Sequence, residues 1–178
     1  MAYTTPPAPI DFQTMLEAGT TFDTVNRIGD DVSQVVAVND NGDFVVAWSY
    51  IYSASDSDVV FQEYNADGTP KGVAHTVADS ADAETVTDIA YAPDGTVLVV
   101  YSSVTSGIEN VFVQRVTTIG TRIGSAIQVE SDAATVANKD QSNGKIAVFD
   151  NGDYAVVYQN AFSSTDQDVR PVSYTHLR

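Results

Sequence analysis

Three stretches of this chain repeat one pattern: Val36 to Trp48, Ile89 to Tyr101 and Ile146 to Tyr158. Each carries an Ala five residues before a Gly (Ala37, Ala90, Ala147) and an aromatic six residues after it (Trp48, Tyr101, Tyr158). The glycines Gly42, Gly95 and Gly152 are spaced by 53 and 57 residues. Self-similarity at such a period means that one supersecondary unit is stacked on copies of itself. Val59 to Tyr64 and Val111 to Val116 extend the match, with Gln62 and Gln114 in the same place, so the unit is longer than a hairpin.

Each unit reads as strand a, a Gly turn, strand b, a polar loop, strand c, a second Gly turn and strand d. Asn41-Gly42, Asp94-Gly95 and Asn151-Gly152 supply residues that tolerate the positive φ of short hairpin turns. Asn65 to Pro70 and Thr118 to Thr121 make the c-to-d turns, with strands d near Val73 to Val77 and Ile123 to Val129. Strand b is apolar on both faces in Phe44 to Trp48 and Val97 to Tyr101, where a half-solvated strand would alternate. Both faces must therefore be covered. The expected fold is all-β, with four-stranded antiparallel meander units stacked as β-propeller blades. An immunoglobulin-like sandwich needs about 100 residues per unit and does not give this period.

The expected organisation is an extended lead-in over 1–19 and propeller-type repeats over 20–169. Within the repeats lie a d strand at 20–26, unit one at 32–78, unit two at 85–129 and a partial unit three at 140–169. Closed propellers have about 4 to 8 blades, so the arc is incomplete and its partners include the missing blades of a longer parent chain. At Arg170 the repeat stops matching, and Pro171 falls where the pattern needs a mid-strand donor, so the ladder is expected to break there. The stretch 170–178 carries two of the 8 basic residues and no acid, and reads as a non-native tail.

Charge narrows the partners. With 24 Asp and Glu against 8 Lys and Arg, the net charge of −16 repels nucleic acid and anionic membrane surfaces. No membrane insertion is expected either, because no apolar run approaches about 18 residues. The absence of Cys removes disulfides, thiolate metal sites and a Cys nucleophile. Nucleophilic catalysis needs a base, usually His, and His75 in strand d reads as a surface residue. The chain is therefore expected not to be an enzyme.

Acid placement points to one face. The b-to-c loops and d-to-a connections hold 13 of the 24 acids and the tight turns hold 6, so the loop face is the more anionic. Asp56-Ser57-Asp58 and Asp166-Gln167-Asp168 recur in register on it. Oxygen ligands at alternate positions are what Ca²⁺ takes from a loop, which makes Asp56, Asp58, Asp166 and Asp168 the candidate metal ligands, although Ca²⁺ takes about 6 to 8 oxygens. A solvated acidic loop explains the same spacing. Trp48, Tyr101 and Tyr158 could form a carbohydrate-stacking row, but a repeated strand b position favours packing between units.

The strings Asn41 to Trp48 and Tyr64 to Gly72 resemble the blade-like repeats of very large secreted bacterial adhesins, many of which carry hemolysin-type calcium repeats and leave by type I secretion. The resemblance covers about Thr20 to Val169. It implies a noncatalytic extracellular or cell-surface module, a spacer or scaffold presenting a surface ligand, protein or glycan. The glycine-rich calcium nonapeptides of that family are missing, so its metal site maps to no residue here. Two alternatives stand beside it: a non-catalytic arc of a propeller glycan hydrolase, and a calcium-stabilised structural domain.

Overall fold

A computed structural model of the chain describes residues 32–53, 55–130, 140–163 and 166–175. The expected lead-in and the d strand at 20–26 lie outside the described residues. Eleven strands follow in order: β1 (Val32–Val38), β2 (Phe44–Ser53), β3 (Asp56–Tyr64), β4 (Pro70–Ala78), β5 (Ala83–Tyr91), β6 (Val97–Thr105), β7 (Ile108–Val116), β8 (Arg122–Gln128), β9 (Asp140–Val148), β10 (Tyr154–Ser163) and β11 (Asp166–Tyr174). Consecutive strands pair antiparallel within β1 to β4, β5 to β8 and β9 to β11. The first two meanders are joined by one parallel residue pair, Ser57 with Ala83. The all-β, antiparallel class is as expected. Among the described residues no helix is long and apolar enough to cross a membrane.

Five tight turns share one geometry. In residues 39–43, 65–69, 92–96, 117–121 and 149–153, the first N–H donates to the fifth carbonyl and the fourth, always Gly, donates to the first. Those glycines sit at φ between 81° and 87°. This is a three-residue hairpin loop whose Gly takes the left-handed position, so only the Gly, and not the Asn or Asp before it, needs positive φ. A different turn closes β6 on β7. Ser106 (φ 55°) and Gly107 (φ 81°) form a two-residue loop with both centres left-handed.

The repeated glutamines explain themselves once the strands pair. Gln62 and Gln114 stand where strands c and d slip register. Each buried amide donates to the next residue's carbonyl, Glu63 at 2.9 Å and Arg115 at 2.7 Å. Gln62 also reaches Lys71 O on β4 at 3.1 Å, replacing the ladder bond that the bulge removes.

Packing follows the two-faced pattern of strand b. In β6, Val97, Val99 and Tyr101 face a core shared with β2, β3, β4 and β5, while Leu98 and Val100 face a second core shared with β7, β9, β10 and β11. The middle meander is thus covered on both faces. Trp48, Tyr101 and Tyr158 are 3%, 7% and 1% exposed. Tyr101 lies in the core between the first and second meanders, and Tyr158 in that between the second and third. Trp48 packs with Val46, Val60 and Tyr64 on the opposite side of the first. These rings are core, as their repeated position predicts.

A register break in strand a faces each of them, between Val32 and Val35, between Val86 and Asp88, and between Ser142 and Lys145. Extra backbone opposite a large ring bends the strand around it. Gly144 sits in the third of these breaks, and a Cβ there would lie 2.7 Å from Val100 Cγ1 and Val111 Cγ1. Its lack of a side chain lets β9 approach the second meander.

Pro171 does not break the ladder. The β10–β11 register runs unbroken from Gln159–Val169 through Val157–Pro171 to Tyr154–Tyr174. β11 is the outer strand of its sheet, where a missing N–H is tolerated. Tyr174 stacks on Tyr154 with ring centroids 4.8 Å apart, and its hydroxyl donates to Val129 O at 2.6 Å.

Candidate functional site

The loop ends of β2, β3, β5 and β6 and the connection from β4 to β5 bring charged groups together. Asp56 and Asp58 open β3, opposite Ser53 and Tyr50 of β2. Burial pushes Asp58 above the ordinary carboxylate range, Tyr52 beside it acts to lower its pKa, and the negative charges of Asp56 and Asp79 push it up. Arg122 of β8 donates to Asp79 at 2.7 Å, carrying a positive charge into the group. Asp82 accepts from the Thr105 hydroxyl at 2.6 Å.

Glu84, the second residue of β5, is the most deeply placed of these carboxylates, 3% exposed. One oxygen accepts from the N–H and hydroxyl of Ser80. The other, Oε2, has no hydrogen-bond partner among the described residues. Burial raises its pKa, against the lowering effect of Ser80, and Asp58 and Asp82 raise it further. Two neighbouring carboxylates with raised pKa are the pattern of an acid/base pair, and also of an ion network at a packed junction.

The repeat offers a comparison. Gln141 stands six residues before Ala147, as Glu84 stands six before Ala90, and each pairs with the residue eight after the turn Gly, Asn160 and Ser103. Gln141 Oε1 accepts from Val111 N–H at 3.3 Å, and its amide donates to Glu130 O at 3.4 Å. In both units this side chain ties strand a to the connection before it. A neutral amide fills the role in one copy and a carboxylate in the next, which marks the position as an anchor between units.

The sequence pattern picked out Asp56 and Asp58, and the structure places both in this group. Asp166 and Asp168 open β11 of the separate three-stranded sheet, are exposed, and take no part in these contacts. Among the described residues no three His, Cys, Asp or Glu side chains are arranged to hold a metal ion. The carboxylates of Asp56 and Asp58 bring at most about four of the 6 to 8 oxygens that Ca²⁺ takes. Tyr52, Ser80, Glu84 and Arg122 were not singled out by spacing. The one signal for Glu84 was its alignment with Gln141.

On the opposite side of the molecule the a-to-b turns of all three meanders surround a hollow of about 420 Å³. Val38 and Phe149, 64% and 51% exposed, line it with Tyr91 and Pro93, and Asp40 and Asp150 stand among the lining residues.

No family model and no curated protein matches the chain. Among solved structures it is similar to an endo-arabinase from Bacteroides thetaiotaomicron, at 12% identity and a TM-score of 0.53, over 83% of this chain and 57% of that one. An endo-1,4-beta-xylanase from the same organism follows at 11% identity and a TM-score of 0.47, over 78% of this chain and 53% of that one. The chain thus spans little more than half the length of either. The first likeness concerns the fold. It overturns the expectation of a noncatalytic adhesin spacer, because the architecture is shared with a glycan hydrolase and no comparison points to an adhesin.

Proposed function

We propose that the chain is a non-catalytic arc of a β-propeller glycan hydrolase, supplying framework and glycan contacts. The observation that carries this reading is the succession of a strands. β1 packs on β5 and β5 on β9, while each following sheet buries its strand b aromatic against the one before. Inner strands following one another round a common axis are a propeller feature, whereas a sandwich has two layers and no middle sheet covered on both faces. The likeness to the endo-arabinase supports the glycan part. The anchor role of Glu84 supports the non-catalytic part. A polymeric glycan is met outside the cell, so the proposal carries an extracellular or surface location.

The test is native gel electrophoresis of the chain through arabinan, beside an assay for released reducing ends. Retarded migration without release is expected. Release of oligosaccharides would overturn the non-catalytic assignment. Unretarded migration of a chain that is folded by circular dichroism would overturn the glycan assignment.

A further inference from the structure

We propose that the hollow on the turn face is a binding site for a neutral sugar unit, separate from the acidic loop face. This rests on the glycan reading above. Its volume of about 420 Å³ falls in the range of about 300 to 1,000 Å³ typical of small-molecule sites. It is made by one structural feature repeated three times, the a-to-b turn, with the middle copy placing Tyr91 and Pro93 where the other two have Val38 and Val148, and Asp40 and Asp150. The first gives Val38 and Asp40, the second Tyr91 and Pro93, the third Phe149 and Asp150. The result is a mixed lining in which Val38, Tyr91, Pro93 and Phe149 stand among Asn39, Asn41 and two carboxylates.

The chemistry matches one face of a sugar ring at a time. A pyranose or furanose offers C–H groups to an aromatic surface, and Phe149 presents one that is 51% exposed in a concave place. Its hydroxyls need acceptors, and carboxylates accept the strongest hydrogen bonds from O–H. The other turn-face acids are committed: Asp43 pairs with Lys71, Asp94 with Arg115, and Asp153 accepts from Asn151. Asp40 and Asp150 have no ion-pair partner among the described residues and remain available. No Lys or Arg lines the hollow, so a uronate or phosphorylated sugar is repelled and a neutral one is favoured.

The experiment is an amide nuclear magnetic resonance titration of the full chain with arabinotetraose, repeated for Phe149→Ala and for Tyr52→Ala on the loop face. Shifts confined to Asp40, Asn41, Gly95 and Asp150 are expected, unchanged in Tyr52→Ala. Loss of the aromatic contact in Phe149→Ala should weaken binding about tenfold. Tetragalacturonate should give no shifts. Shifts around Tyr52 and Asp58 instead would overturn the site while leaving the glycan reading standing. A dispersed spectrum with no shifts anywhere would remove both. Turn-face shifts that Phe149→Ala leaves intact, or that tetragalacturonate reproduces, would overturn the assignment to a neutral sugar on this lining.

Discussion

The face-to-face stacking of the first two meanders predicts that two glycine substitutions of one kind will differ in cost. Gly95 and Gly120 occupy the same place in their turns, at φ 81° and 84°. Replacing either by Ala puts an L-residue in the left-handed region, at about 1–2 kcal/mol. A Cβ on Gly95 would meet nothing within 4 Å, so Gly95→Ala stops there. A Cβ on Gly120 would lie 2.3 Å from both Cγ and Nδ1 of His75 and 2.7 Å from its Cβ. His75 belongs to β4 of the first meander, and its ring lies 5.7 Å from that of Phe61, within the packed sheet. Swinging a rotamer cannot move its Cβ, so the sheets must part slightly, a strain of about 1–3 kcal/mol more. Urea unfolding should therefore place Gly120→Ala below Gly95→Ala by about that amount. In a His75→Ala background two of the three clashing atoms are gone and most of the excess should vanish, a coupling that a double-mutant cycle reads directly. Equal costs for the two glycine variants, or no coupling to His75, would mean that the 117–121 turn does not rest on β4. The stacking would then be wrong.

Four further outcomes follow from the buried polar groups, the close approach of β9 and the acid pairs. Glu84→Gln should stabilise the chain at neutral pH, because it removes the buried charge whose desolvation raises the Glu84 pKa. The folded chain holds the Glu84 proton more tightly than the unfolded one, so the contribution of this group is fully present below the ordinary value of 4.5 and is lost as pH rises through the raised value. Urea midpoints across that window should slope less in the variant, and an unchanged slope would remove Glu84 as the cause. Tyr158→Phe deletes a buried hydroxyl that has no partner and should be neutral or stabilising by up to about 1 kcal/mol; a large loss in a thermal melt would show that the hydroxyl is bonded in solution. Gly144→Ala should lower the melting temperature through Val100 and Val111, and a Val111→Ala background should recover part of the loss. Millimolar Ca²⁺ should shift the melting temperature no more than Mg²⁺ does, and a calcium-specific rise abolished by Asp58→Asn would reinstate that pair as ligands.

Much of the fold was legible because a repeat multiplies weak signals. A single Asn-Gly between apolar runs suggests a hairpin, and three at one spacing with an aromatic at a fixed distance locate strands a and b. The two-faced strand b likewise announced a sheet covered on both sides, and β6 bears it out. What spacing could not give was set by contacts between distant strands. The breaks in strand a lie beside Trp48, Tyr101 and Tyr158, and nothing in Val32 to Val35 or Ser142 to Lys145 states that alone. Pro171 misled for the same reason. The rule against proline in strands applies to strands flanked on both sides, and only the pairing shows that β11 has one neighbour.

The candidate sites were less legible, since charge spacing reports which acids are near in sequence and not which are desolvated. Asp56 and Asp58 were visible as a recurring pair, yet the same register in Asp166 and Asp168 leads to two exposed carboxylates. The difference lies in what the next unit brings. Asp58 is desolvated by burial and lies near Asp56 and Asp79, and these hold its carboxylate above the ordinary range even though Arg122 pulls it down. Glu84 was hidden because one acid at the head of a strand is unremarkable until the sheets stack and bury it. Its copy, Gln141, is the internal control that a repeat protein provides. Gln141 carries no charge and still ties strand a to its surroundings, through Val111 N–H and Glu130 O where Glu84 uses Ser80. On the turn face the copies share backbone, and the middle one departs from the other two where they line the hollow: Tyr91 replaces Val38 and Val148, and Pro93 replaces Asp40 and Asp150. Only the position of Asn39, Ala92 and Phe149 differs in all three, and it is there that an exposed aromatic ring enters the lining.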